Sequence, residues 1–112
     1  MPPLEGRRLP MEVEEWLREL VRSLREVEPD VEVTLLVAML EGTGLTTATW
    51  DLIVVSRMFE NLDLGERYKV VKRHARPGYS LDLTPLTPQE FRRRKENSVI
   101  LQDMLEHAVK IT

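Results

Sequence analysis

Residues 48–56 read Ala48-Thr49-Trp50-Asp51-Leu52-Ile53-Val54-Val55-Ser56. The run is rich in β-branched and aliphatic side chains, so it reads as a strand. The two-residue period of a strand places Thr47, Thr49, Asp51, Ile53 and Val55 on one face and Trp50, Leu52 and Val54 on the other. Asp51 is the oddity. A carboxylate inside an apolar strand is costly to bury unless it is paired, hydrated or metal-bound. Near the start of the strand it can also simply reach solvent.

Working outward, residues 31–40 (VEVTLLVAML) form another apolar, β-branched run and are expected to be a buried strand. Glu41-Gly42-Thr43-Gly44 breaks it. This lone G-x-G has no lysine and no clear helix after it, so it reads as a flexible turn rather than a phosphate loop. Residues 79–84 (YSLDLT) form a third strand, with Ser80, Asp82 and Thr84 on a polar face and Tyr79, Leu81 and Leu83 on an apolar one. Asp82 is thus a second strand acid. If the two strands are neighbours, Asp51 and Asp82 meet. Paired carboxylates at a sheet end suit Mg²⁺, because hard cations take oxygen ligands.

Helices fill the intervals. Val13, Trp16, Leu17, Leu20, Val21, Leu24 and Val27 recur at spacings of three and four, which predicts a helix over about 10–28 that packs on a sheet. Pro10 suits its first turn and Pro29 stops it. After a loop over 58–65, residues 66–75 form a helix with Leu64, Tyr68 and Val71 inward. Arg67, Lys69, Lys72, Arg73 and Arg76 make its outer side, and Pro77-Gly78 ends it. Thr87-Pro88-Gln89-Glu90 is a capping box that opens a further helix, with Phe91 on its apolar side. Asn97-Ser98 offers a break. A last helix over 99–108 then turns Ile100, Leu101, Met104, Leu105 and Ala108 inward, and Val109-Lys110-Ile111 reads as a short edge strand. The order α, β, β, α, β, α, α predicts a single α/β domain over 1–112, with a small mixed sheet and helices packed on it, its core spanning about 31–112.

Composition narrows the function classes. The chain has 112 residues, 42% hydrophobic and 31% charged, which is globular rather than disordered. It has no cysteine, which excludes a disulfide scaffold, a thiolate metal site and a cysteine nucleophile. Apolar runs are too short for a membrane span, and Met1 to Arg8 holds no signal-peptide core, so a soluble, cytoplasmic domain is expected. Abundant Arg and Glu with few Asn and Gln resemble a thermophile's composition. Net charge is −3, which argues against a strongly basic nucleic-acid binder but leaves room for a local patch. Arg67, Lys69, Lys72, Arg73, Arg76, Arg92, Arg93, Arg94 and Lys95 form such a cluster, as a phosphate or RNA surface or as two solvated helix faces without interleaved aromatics. His74 and His107 lack a partner at metal-ligand spacing. Ser56 has neither a nucleophile-elbow context nor an evident base.

Three stretches occur in a familiar order: Asp51 to Ser56, the Asp-bearing Ser80-Leu81-Asp82-Leu83, and Leu86-Thr87-Pro88-Gln89-Glu90-Phe91. Together they resemble the small prokaryotic nucleotidyltransferases of the polymerase-β superfamily, the minimal (MNT) type, over about residues 33–112. The resemblance implies a palm-like fold and an active site built from a Gly-Ser pair, an Asp-x-Asp and one more Asp, with Mg²⁺ and a nucleoside triphosphate. Asp51 matches the second Asp of the Asp-x-Asp and Asp82 the third carboxylate. The first Asp falls on Thr49, and the Gly-Ser pair falls near Val37-Ala38. Gly42 matches a following glycine, and Glu41 is a conceivable substitute ligand. Two-metal transfer needs carboxylates that bridge both ions, and a branched Val37 obstructs the close backbone approach that glycine allows. The expectation is therefore a catalytically degenerate nucleotidyltransferase fold, with Asp51 and Asp82 as remnant carboxylates, that acts by binding. The resemblance also implies a helical HEPN-type partner, as in toxin–antitoxin pairs, or a homodimer. The alternatives are an active Mg²⁺-dependent enzyme transferring a nucleotidyl group to protein or RNA, and a nucleotide or RNA sensor without chemistry.

Overall fold

The computed structural model describes residues 11–36, 50–75, 81–106 and 108–111. The elements run α1 (Met11–Val27), β1 (Glu32–Leu36), β2 (Trp50–Val55), a 3-10 turn (Arg57–Phe59), α2 (Leu64–His74), β3 (Leu81–Leu86), α3 (Pro88–Asn97), α4 (Val99–Glu106) and β4 (Val109–Lys110). Among the described residues, four strands make one mixed sheet in the order β3-β2-β1-β4. β1 is antiparallel to β2 and β4, while β2 and β3 are parallel. Among the described residues, no helix is long and apolar enough to cross a membrane.

Two apolar clusters of unequal size sandwich the sheet. On one face α1 buries Trp16, Leu17, Leu20 and Leu24 against Val33, Leu35, Leu52, Val54 and Leu83, with Phe59 and Val71 closing the layer. The other face holds a smaller cluster, Ile53, Val55 and Leu86, onto which Phe91, Leu101 and Leu105 pack from α3 and α4. The alternation in β2 therefore falls as the sequence predicts from Leu52 onward: Leu52 and Val54 join the large core, and Ile53 and Val55 the small one. Both faces are covered, as parallel pairing requires.

Local chemistry explains the element ends. Ser56 caps the 3-10 turn by accepting from the Met58 amide at 3.1 Å. Asn61 takes a positive φ of 68°, a conformation Asn tolerates, and turns the chain toward α2. Asp63 and Glu66 form a capping box, so α2 starts at Leu64, two residues before the sequence expectation. The Thr87/Glu90 capping box at α3 is present as predicted, with Pro88 in the first turn.

Several expectations are corrected. β3 runs through Pro85 to Leu86 instead of ending at Thr84, and it starts at Leu81 within the described residues. Proline is tolerated there because β3 is an edge strand and the missing N–H faces away from β2. Val27 is exposed because it lies past the last turn that touches the sheet, and Leu64 is exposed at the first turn of α2. In α4 only Leu101 and Leu105 face the small core, whereas Ile100 and Met104 are exposed. A helix of eight residues on so small an apolar patch buries a narrow stripe. Arg67 is not part of a solvated outer side, since only 12% of its side chain is exposed. The end of the first predicted strand, Val37-Ala38, Glu41 to Gly44, Thr49, Arg76 to Ser80 and His107 lie outside the described residues.

Candidate functional site

The parallel register of β2 and β3 sets Asp51 opposite Asp82. In a parallel ladder, facing residues point to the same side of the sheet, so both acids stand on the α3/α4 face with Ile53, Val55 and Leu86. Leu36 of β1 pairs with Asp51 from the other side. Within the described residues, the two acids thus lie level with the last residue of β1 and the first residues of β2 and β3. The sequence could not establish this meeting, and the register supplies it.

The pair is electrostatically loaded. Burial raises the Asp51 carboxyl above the ordinary aspartate value, and a hydrogen bond shared with Asp82 and the repulsion between the two carboxylates raise it further. Such a pair holds a shared proton or a cation more readily than two full negative charges. It fits a hard divalent cation with water completing the shell. Among the described residues, no group of three His, Cys, Asp or Glu side chains gathers to hold a metal.

Beside the pair, a groove of about 510 Å³ runs over the outer edge of β3 between α2 and α3. Asp82 lies at one end, and Arg93 and Arg94 also line it. Arg67 anchors the groove. Its guanidinium donates to Glu90 at 2.6 and 3.2 Å, a two-point ion pair, and also to the Leu62 and Pro85 carbonyls. These bonds from Arg67 are the largest reason the Glu90 carboxyl falls to about 2, with the Thr87 amide adding to them. Tyr68 donates to the Leu83 carbonyl at 2.6 Å. From the sequence alone, Arg67 is placed only in a basic surface cluster and Tyr68 only on an inner helix face, because their partners on β3 and α3 lie 15 or more positions away in sequence.

The remaining candidates resolve as structural. Ser56 is fully buried and donates to Asp30 at 2.6 Å. Asp30 also accepts from the Arg57 amide. Burial alone would raise the Asp30 carboxyl, but the bonds from Ser56 and Arg57 outweigh it and hold the group below its ordinary value. His74 shares a hydrogen bond with Ser23 of α1 at 2.6 Å. It ties two helices together.

Among solved structures, the chain is similar to a "putative nucleotidyltransferase" from Sulfolobus solfataricus, with a TM-score of 0.59 over 89% of this chain and 79% of that one. The two sequences are 19% identical, so the likeness is one of fold. The chain therefore has a nucleotidyltransferase fold. No protein-family model and no curated protein matches the sequence.

Proposed function

We propose that this is a minimal-type nucleotidyltransferase-fold protein whose site is catalytically degenerate and which acts by binding. The observation that carries the reading is the pairing of Asp51 with Asp82 across β2 and β3, at the sheet end where the fold's carboxylates are expected. Two-ion transfer needs carboxylates that bridge both metals. The pair offers ligands for one Mg²⁺, and the sequence has Thr49 where a further Asp would stand. On this reading the pair binds a Mg²⁺–nucleoside triphosphate without efficient transfer. The biological role is then exercised through a protein partner, a helical chain of the toxin–antitoxin kind or a second copy, in the cytoplasm.

Calorimetric titration with ATP and GTP, with and without Mg²⁺, tests this directly. Magnesium-dependent binding that disappears in Asp51→Asn and Asp82→Asn is the expected result, together with no nucleotide incorporated into protein or RNA. No heat at millimolar nucleotide overturns the nucleotide site. Labelled nucleotide transferred by the wild type and lost in both variants favours an active enzyme instead, a reading supported by the same facing carboxylates.

A further inference from the structure

The groove between α2 and α3 carries two cations that the fold does not consume. Four cations follow one another on α3, from Arg92 to Lys95, yet only Arg93 and Arg94 line the groove. Lys95 sits 4.8 Å from the centroid of the Phe91 ring. Arg67 is neutralised by Glu90 and gives two further N–H groups to main-chain carbonyls. Among the described residues, no acid lies within ion-pair distance of Arg93 or Arg94.

The floor of the groove limits what can enter. The Leu86 carbonyl accepts from the Ser56 amide across β2, so alternation turns the Leu83 and Pro85 carbonyls outward. Both are already taken, by Tyr68 and Arg67. Pro85 offers no N–H. An added strand would find both outward carbonyls of residues 83–85 taken and the Pro85 donor missing, so recognition falls mainly to side chains. Those side chains are polarised, with two guanidinium groups toward α3 and the exposed Asp82 carboxylate at the other end. Leu64, 59% exposed, and Tyr68 form the opposite wall.

The geometry points to a phosphate site in this groove, formed by Arg93 and Arg94, for a ribonucleotide unit whose hydroxyl groups reach toward Asp82. Guanidinium groups hold phosphate by paired, charge-assisted hydrogen bonds. A carboxylate accepts from hydroxyls, and the wall at Leu64 and Tyr68 suits a base. This site does not require the cation held by the carboxylate pair. The ligand is a free mononucleotide or the end of an RNA strand, which present the same chemistry.

The test uses the whole chain in EDTA, with AMP and a short oligoribonucleotide as probes, followed by NMR shifts and fluorescence anisotropy. We expect saturable binding that weakens as salt rises, and about a tenfold loss in the Arg93→Gln/Arg94→Gln double variant. Arg92→Gln/Lys95→Gln removes the same charge from the same helix outside the groove and should cost about threefold or less. All four residues are exposed, so unchanged melting temperatures confirm folding, and the single variants serve if a double does not fold. Equal binding of AMP and oligomer assigns a free nucleotide, and binding of the oligomer alone assigns an RNA end. No binding of either probe overturns the proposal, as does equal loss in the two double variants. AMP binding that persists in EDTA separates this site from the cation reading, in which nucleotide binding requires Mg²⁺.

Discussion

Asp51 shows how one residue sets function against stability. Its carboxyl is raised by burial first and then by Asp82, so ionising it costs folding free energy. For a raised carboxyl, the stabilising contribution is complete below its unfolded value and is lost as pH rises through the folded one. Asp51→Asn should therefore raise the melting temperature at pH 7, and the gain should vanish as pH falls into the acid range. Thermal melts from pH 3 to 8 check this. Millimolar Mg²⁺ should raise the wild-type melting temperature and leave Asp51→Asn unmoved, because a ligand that binds the native state stabilises it. Ser56 is the opposite case, a buried hydroxyl with both of its bonds made inside the protein. Ser56→Ala leaves Asp30 and the Met58 amide short of a partner and should cost about 1–2 kcal/mol in urea unfolding. Transfer or nucleotide binding should be untouched.

At the scale of elements, Arg67 and Glu90 clamp α2, β3 and α3 together. Glu90 serves twice, as the partner of Arg67 and as the acceptor that closes the α3 capping box on the Thr87 amide. Its carboxyl stands near 2, below the usual glutamate value, so its stabilisation is present above the unfolded value and lost as pH falls toward 2. The Glu90 side chain is 39% exposed, so solvent screening holds the contribution to about 1–2 kcal/mol. Glu90→Gln should destabilise by that amount at pH 7 and flatten the acid limb of stability between pH 4 and 2. The exposed Glu14–Arg18 pair on α1, at 3.7 Å, is worth little by comparison, and Glu14→Gln should leave the unfolding midpoint nearly unchanged. The edge of β3 belongs to this scale as well. Tyr68 and Arg67 take the outward Leu83 and Pro85 carbonyls and Pro85 lacks an N–H, which makes pairing with another chain on that side less favourable.

Over the whole molecule, stability is concentrated on one face of the sheet. Leu17, Leu24, Leu35, Val54 and Phe59 are fully enclosed in the large core, while among the described residues the small core on the opposite face holds three buried hydrophobics. Leu24→Ala should cost about 3 kcal/mol, a large share of what a domain of this size possesses, and should lower the denaturation midpoint sharply. The thin face is the one that carries Asp51 and Asp82. Two charges there disturb little packing, and α4 leaves Val99 and Ile100 exposed, at 79% and 74%, beside it. The site thus sits where the fold has least to lose.

The sequence by itself determined the elements and the faces. The β2 alternation, the α1 stripe and the Thr87/Glu90 box are local patterns, and each is present in the structure. It also singled out Asp51 and Asp82, since a carboxylate inside an apolar strand is anomalous wherever it falls. It misjudged elements whose fate depends on distant partners. β3 passes through Pro85 because β3 is an edge, and α4 turns Ile100 outward because the face beneath it is small. Arg67 reads as one more surface cation until Glu90 and the Pro85 carbonyl are placed around it. Only the tertiary structure decided that the two acids face each other. Register between β2 and β3 follows from how both strands dock on the two cores, and a slip of one residue would have sent the two carboxylates to opposite faces.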